Sequence, residues 1–230
     1  MEESVLLRFV NYLTHLIFQS VMRVLVGVLH NGAITTPCVQ SLLTLDLSDF
    51  EQRIIQFEKG TIVHFQRNNV VKKALDAGVD YLFFVDSDVA VPSNAVKKLV
   101  AHGKHIVSGL YFSKIPPFTP QIYSKNKLGF KPIIDYEEGL IKVDAVGSGC
   151  LLVKTSVFKN LKKPFFAFSD KIVRGGQPLS EDMYFCNKAR EAGFDVYCDT
   201  TVKCAHVGTT LITEEAFKRL KNKIVFQNNA

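Results

Sequence analysis

An unbroken apolar run, YLFFV at residues 81–85, limits the folds open to this chain of 230 residues. A strand that is apolar at every position must be covered on both faces, which is typical of the parallel sheets of α/β proteins. A β-branched run at residues 24–29 precedes it, and Pro37 after Thr36 predicts a helix that starts between the two runs. The repeated order of strand and helix predicts parallel βαβ units with right-handed crossovers.

The remaining signals continue this alternation and then change character. Residues 111–147 are rich in Pro, Lys and Gly, and they predict hairpins and loops. The other predicted strands are at residues 61–65, 105–108, 149–154, 194–198 and 202–205, and the other predicted helices are at 68–77, 92–102, 155–161, 179–192 and from 213 onward.

The overall composition is that of a folded globular chain with one core or one core plus a small annex. The net charge is +6, and the basic residues are scattered rather than gathered into an arm or patch that would follow a nucleic acid. The five cysteines are odd in number and have no CxxC spacing, which predicts small buried side chains in a reducing cytosol and no disulfide framework or zinc site.

The N-terminal segment is apolar over residues 4–28 but is interrupted at steps of three and four residues. The interrupting residues are Arg8, Asn11, His15, Gln19 and Arg23. This spacing places them on one helical stripe, and a membrane-spanning helix would have to bury two arginines and a histidine. We therefore expect an amphipathic helix that packs on the domain or lies on a membrane surface, or else a translation start at Met22.

The acidic triplet Asp86-Ser87-Asp88 directly follows the apolar run. In an open α/β sheet, ligands bind outside the carboxyl ends of the strands. Two carboxylates two residues apart suit Mg²⁺ or Mn²⁺, with phosphate oxygens completing the coordination. A solvated acidic turn is the alternative, and the position after a buried strand favours the metal.

Three further motifs strengthen this hypothesis. Gly147-Ser148-Gly149 has a backbone that can approach a ligand closely, although a plain turn also explains it. Ser180-Glu181-Asp182 begins a predicted helix, where capping alone would explain Ser180 and one acid. His206 follows a short predicted strand, and a structural histidine is its alternative reading.

In this order, the four motifs resemble those of the GT-A glycosyltransferases, specifically the family-2-like nucleotide-sugar transferases. That family carries a DXD motif, a glycine loop, an xED motif and a C-terminal histidine, and the resemblance covers about residues 22–208. It implies an α/β fold with a single Rossmann-like GT-A domain. That domain has a mainly parallel central sheet flanked by helices and a small acceptor-side β and loop region.

The resemblance also implies roles for the motif residues. Asp88 would coordinate a Mn²⁺ or Mg²⁺ ion that bridges the donor diphosphate, Asp86 would lie near the ribose and the metal, and His206 would be a further ligand. Asp182 matches the catalytic base of inverting members, with Glu181 as the neighbouring acid.

The implied nucleotide and sugar contacts come from other turns. Gly147, Ser148 and Gly149 would line the sugar and acceptor side. The nucleotide would be faced by His30, Asn31 and Gly32 after the first strand, and by Arg67 and Asn68 at the tip of the second. The resemblance favours a UDP-sugar as the donor. The predicted second strand lacks the acid with which many members hold uracil, so the identity of the base stays open.

These implications predict a metal-dependent, inverting hexosyltransferase-type enzyme (EC 2.4) that moves a sugar to a hydroxyl of a glycan, lipid-linked or protein acceptor. We expect an N-terminal helix or extension at 1–21, the enzyme domain at 22–212 (donor half 22–110, acceptor half 111–212) and a C-terminal helix and tail at 213–230. The predicted location is cytoplasmic, with peripheral membrane contact through residues 4–22. A nucleotidyltransferase and a non-catalytic membrane-associated scaffold are the alternatives.

Overall fold

The structure, a computed structural model, describes residues 22–127, 129–173, 177–208 and 211–227. A seven-stranded sheet, mainly parallel, carries helices on both faces, so the predicted α/β fold class is confirmed. The N-terminal helix predicted at residues 1–21 lies outside the described residues. No described helix is both long enough and apolar enough to cross a bilayer.

The described part of the chain contains fifteen strands and six helices. The strands are β1 (Arg23–His30), β2 (Gln52–Lys59), β3 (Tyr81–Asp86), β4 (Val89–Ala90), β5 (Ile106–Leu110), β6 (Ile122–Asn126), β7 (Gly129–Pro132), β8 (Leu140–Val143), β9 (Ala145–Val146), β10 (Cys150–Lys154), β11 (Ser169–Val173), β12 (Gln177–Leu179), β13 (Val196–Lys203), β14 (Ala205–Val207) and β15 (Leu211–Ile212). The helices are α1 (Thr36–Leu43), α2 (Val63–Asp76), α3 (Ala95–Ala101), α4 (Thr155–Asn160), α5 (Glu181–Glu191) and α6 (Glu214–Gln227).

The central sheet has the order β2-β1-β3-β10-β5-β13-β8. Strands β1, β2 and β3 run parallel, as do β5 and β13, whereas β10 and β8 run antiparallel to their neighbours. Smaller sheets β7-β6-β9 and β15-β14-β4 flank it. The former is built from the predicted hairpin region after residue 111.

The apolar run in β3 is explained by burial on both faces. Leu82 and Phe84 belong to one side of the core, packed with α2, α4 and α5. Phe83 and Val85 belong to the other side, packed with α1 and α3. Since both faces are covered, the acids at the end of β3 emerge at the carboxyl edge of a rigid strand.

The second predicted strand is wrong. Residues 61–65 are not a strand, because α2 begins at Val63 and the second strand is β2, at Gln52–Lys59. Val70, Val71 and Ala74 face the core at helical spacing, and this burial outweighs the β-branched start of the helix. Arg67 and Asn68 therefore lie inside a helix, not at the tip of a strand.

Other differences are smaller. The strands predicted at 194–198 and 202–205 are one strand, β13, followed by β14. The helix predicted from Pro37 is α1, which begins one residue earlier, at Thr36, with Thr35 as its N-cap. Glu58 is the penultimate residue of β2, so the observed second strand does have an acid near its end. All five cysteines are free and buried, as predicted.

Candidate active site

The first carboxylate of the acidic triplet is held by a buried arginine. Asp86, at the end of β3, accepts hydrogen bonds from Arg67 Nη2 at 3.1 and 3.3 Å. The Arg67 side chain is 2% exposed and lies over the rings of Phe84 and Phe166. An arginine this deeply buried requires acidic partners, because burial alone disfavours its charge.

The same guanidinium reaches the acids at the start of α5. Arg67 Nε lies 3.4 Å from Glu181 Oε1 and 3.5 Å from Asp182 Oδ1. Although burial acts to lower it, the charges of Asp86, Asp182 and Glu181 raise the pKa of Arg67, so its cation persists. Arg67 thus joins the end of β3 to the beginning of α5.

Asp182 occupies a largely buried position at the N-terminus of α5. Ser180 is the N-cap of this helix, and its hydroxyl accepts from the Met183 amide. Burial raises the pKa of Asp182 to about 7, Arg67 opposes that rise, and the charge of Glu181 adds to it. A carboxylate with a raised pKa is a stronger base than an exposed one, which is suited to taking a proton from a hydroxyl.

Asp88 lies at a second cluster with His206 and Lys114. The His206 Nδ1 nitrogen contacts the Phe112 carbonyl oxygen at 2.7 Å, and its Nε2 nitrogen lies 3.4 Å from Asp88 Oδ1. The Lys114 ammonium is 2.5 Å from Asp88 Oδ2. Burial acts to raise the pKa of Asp88, but the hydrogen bonds from His206 and Lys114 lower it to about 2.

This cluster lines an open cavity of about 580 Å³ at the carboxyl edge of the sheet. That volume lies within the range of small-molecule sites. Its lining residues include His30, Asn31, Thr35, Thr61, Gln66, Asp86, Ser87, Asp88, Lys114 and His206. The lining does not include the glycine loop or three of the predicted site residues, Arg67, Asn68 and Asp182. Asp182 is linked to the cavity indirectly, because it contacts Arg67, which contacts Asp86.

The glycine loop packs against a tyrosine. A β-carbon placed on Gly147 would lie 2.0 Å from the Tyr111 hydroxyl, and one on Gly149 would lie 3.2 Å from Asp86 Oδ2. The Gly149 amide donates to that hydroxyl at 3.1 Å, and Ser148 is fully buried. The absent side chains therefore make room for Tyr111 and Asp86, while the predicted sugar contact stays a prediction.

Asn68 holds two parts of the protein together. Its side-chain oxygen accepts from the amides of Phe165 and Phe166, and its nitrogen donates to the Phe166 carbonyl at 2.7 Å. These bonds use its carbonyl and one amide proton to join α2 to the segment before β11. The position predicted to face a nucleotide thus serves packing in this structure. Gly32, at φ +130°, forms the turn after β1.

The expected metal ligands converge only in part. Among the described residues, no group of three or more His, Cys, Asp or Glu side chains is arranged to hold a metal ion. Asp86 is directed to Arg67, whereas Asp88 and His206 face each other. The Nδ1 contact with a backbone carbonyl is the arrangement that orients a metal-binding histidine. Asp88 and His206 thus suit Mn²⁺ or Mg²⁺ with phosphate oxygens as further ligands.

Sequence reasoning missed three residues of this site. Lys114 follows β5 by four positions and belongs to no recognisable motif. Tyr111 is nearly buried against the glycine loop, and Gln66 donates from α2 to the carbonyls of His30 and Glu58. The position of Lys114 near the carboxyl end of a predicted strand was a signal that could have found it.

No protein-family model matches the chain, and no curated protein matches it. Among solved structures, A197 from STIV is 21% identical with a TM-score of 0.60, over 81% of this chain and 86% of that one. S. aureus TarS (residues 1–349) is 17% identical with a TM-score of 0.47, over 78% of this chain and 61% of that one. Apo UDP-glucose pyrophosphorylase is 6% identical with a TM-score of 0.39, over 77% of this chain and 65% of that one.

The likeness to A197 shows that the two chains share a fold. The architecture expected of a GT-A domain, a mainly parallel sheet flanked by helices, is the one that this structure has.

Proposed function

We propose that this protein is a metal-dependent, inverting glycosyltransferase that moves a sugar from a nucleoside-diphosphate sugar to an acceptor hydroxyl. One observation carries the proposal: Arg67 contacts both Asp86 and Asp182. The acidic triplet that lines the cavity therefore lies close to Asp182, a buried carboxylate with a raised pKa. Such a carboxylate suits a general base, and the cavity suits a diphosphate.

The cavity is proposed to bind the donor. His30, Asn31 and Ser87 lie along its wall, with Asp88, His206 and Lys114 grouped around one carboxylate. A divalent cation held by Asp88 and His206 would neutralise charge on the leaving diphosphate. Lys114 would add a positive charge to the same group.

Asp182 is proposed to act as the base. Its carboxylate takes the acceptor hydroxyl proton as the oxygen forms a bond to the anomeric carbon, and the bond from that carbon to the diphosphate oxygen breaks. Attack from the face opposite the diphosphate inverts the anomeric configuration. Arg67 favours the ionised form of Asp182, and Glu181 shares the same guanidinium.

The finer points of the proposal come from the resemblance in sequence. They are a UDP-sugar donor, a hexosyl group, and a glycan, lipid-linked or protein acceptor. A cytoplasmic location with peripheral contact through residues 4–22 belongs to the same proposal.

The test separates chemistry from binding. Asp182→Asn keeps the shape of the side chain and removes the base, so we expect transfer from UDP-sugars to fall by about a hundredfold or more. Binding of UDP with Mn²⁺, measured by calorimetry, should stay within about threefold of the wild type because Asp182 does not line the cavity. Asp76→Asn, on the exposed end of α2, is the matched control.

Two results would contradict the proposal. Equal loss of turnover and UDP binding in the Asp182 variant would place this residue in the donor site instead. Release of diphosphate from a nucleoside triphosphate and a sugar phosphate, with no transfer from any nucleotide sugar, would identify a nucleotidyltransferase.

A further inference from the structure

We propose that Lys114 exchanges ion-pair partners when the donor binds. Its ammonium neutralises Asp88 until a divalent cation binds that carboxylate, and the ammonium then binds the donor diphosphate. The inference rests on the proposed function and adds a residue that no sequence motif contains. It names Lys114 as a ligand for the diphosphate and as a competitor for the metal.

The geometry places Lys114 at Asp88, the carboxylate of the acidic triplet that Arg67 does not contact. Asp86 is matched by Arg67, whose side chain is 2% exposed. Asp88 faces the cavity with the Lys114 ammonium at 2.5 Å on one oxygen and His206 Nε2 at 3.4 Å on the other. A divalent cation that binds Asp88 must approach the oxygens that these two groups contact.

Of the two groups, only Lys114 is free to move. The His206 ring is 11% exposed and is tied to the Phe112 carbonyl through Nδ1. The Lys114 side chain is 46% exposed and has four rotatable bonds. A divalent cation would therefore retain His206 as a ligand and displace the ammonium.

The backbone around Lys114 is fixed, so the displaced ammonium stays near the cavity. The Ser113 amide donates to the Thr119 carbonyl at 2.8 Å, and the Phe118 amide donates to the Ile115 carbonyl at 2.9 Å. These bonds close the loop that carries Lys114. A diphosphate held by a cation on Asp88 would lie within the region that this side chain sweeps, and an ammonium is a strong partner for its oxygens.

The exchange predicts opposite effects of one substitution. In Lys114→Met the competing ammonium is gone, so Mn²⁺ alone should bind about fivefold more tightly. The diphosphate has lost a partner, so UDP at saturating Mn²⁺ should bind about tenfold more weakly. Free Mn²⁺ is measured by electron paramagnetic resonance and UDP by calorimetry. Lys114→Arg keeps the charge and should change the dissociation constants for Mn²⁺ and for UDP by less than about threefold.

The matched control is Lys72→Met, which removes a lysine from another ion pair with an aspartate. Lys72 Nζ lies 2.7 Å from Asp76 and does not line the cavity, so both constants should remain those of the wild type. Wild-type constants in Lys114→Met, or a shift of both in the same direction, would overturn the inference alone. Failure of the wild type to bind Mn²⁺ and UDP would overturn the proposed function and this inference with it.

Discussion

Arg67 is the side chain on which the site's electrostatics depend. One guanidinium lies within 3.5 Å of Asp86, Glu181 and Asp182, so the buried cluster carries more negative than positive charge. Its Nη1 nitrogen and Asp182 Oδ1 have no hydrogen-bond partner in the described part of the chain. Buried ion pairs of this kind are costly to break, because removal of one partner leaves an uncompensated charge.

Removal of the Arg67 charge should move the pH dependence of transfer. Arg67 lowers the pKa of Asp182 against the effect of burial, so Arg67→Met should raise that pKa further. The base would then be protonated at higher pH. We expect the acidic limb of log kcat/KM, measured from about pH 6 to about pH 9, to shift upward by about one unit or more.

Arg67→Lys separates charge from shape in the same experiment. Lysine keeps the cation but lacks the planar fork, so we expect a limb nearer to that of the wild type. Circular dichroism and a melting temperature would establish that each variant is folded. An unchanged limb in a folded Arg67→Met would show that Arg67 does not control Asp182.

Asn68 shows how α2 is fastened to the rest of the domain. Its side chain satisfies the amides of Phe165 and Phe166, which have no strand or helix to bond with. The Phe166 ring in turn packs on Phe84 and Phe185 and lies near Arg67. The asparagine therefore orients the aromatic wall behind the acidic cluster.

Loss of the Asn68 hydrogen bonds should lower the stability of the folded protein. Asn68→Ala leaves two backbone amides without their acceptor, so we expect the free energy of unfolding to fall by about 2–4 kcal/mol. Asn69→Ala is the matched control, since the Asn69 side chain is exposed and donates to the Glu58 carboxylate at 3.2 Å. That variant should lose less than about 1 kcal/mol. Urea denaturation measures the free energy of unfolding of both variants, and equal decreases would contradict the proposed role of the Asn68 hydrogen bonds.

The sequence predicted some strands and helices much better than others, for physical reasons. Strand β3 was predicted correctly because burial of both of its faces gives an unbroken run of apolar residues. Strand β2 was missed because it is an edge strand, where Ile55 and Phe57 remain about half exposed and polar residues alternate with them. The start of α2 was mistaken for a strand, since its first residues are β-branched and aromatic and its buried stripe becomes visible only over three turns.

For the chain as a whole, the order of motifs predicted where chemistry concentrates but not how the motifs connect. Asp86 and Asp182 are far apart in sequence and meet through Arg67, a contact that depends on how α2 packs under the sheet. The contact between Lys114 and Asp88 could not be predicted for a similar reason, although the residue's place near the carboxyl end of a predicted strand could. Its position depends on the closed loop after β5, and nothing in the local residue pattern indicates which way the side chain turns.

The folding stability of the whole domain should depend on pH because of the buried Asp182 carboxyl. The pKa of Asp182 is raised to about 7 in the folded protein, and an unfolded chain restores an ordinary value of about 3.9. The stabilisation linked to this group is therefore fully present below about pH 4 and is lost as the pH rises through about 7. Asp88, whose pKa is lowered to about 2, stays ionised in both states above about pH 5 and adds no slope there.

Asp182→Asn removes this dependence. We expect the melting temperature of the variant, relative to the wild type, to rise between about pH 5 and about pH 7 and to level off above that, since only the wild type has to ionise a buried carboxyl. Asp76→Asn changes an exposed aspartate on α2 and should show a constant difference over the same range. A parallel pair of curves for Asp182→Asn and the wild type would mean that the buried carboxyl titrates normally, and the general-base assignment would lose its electrostatic support.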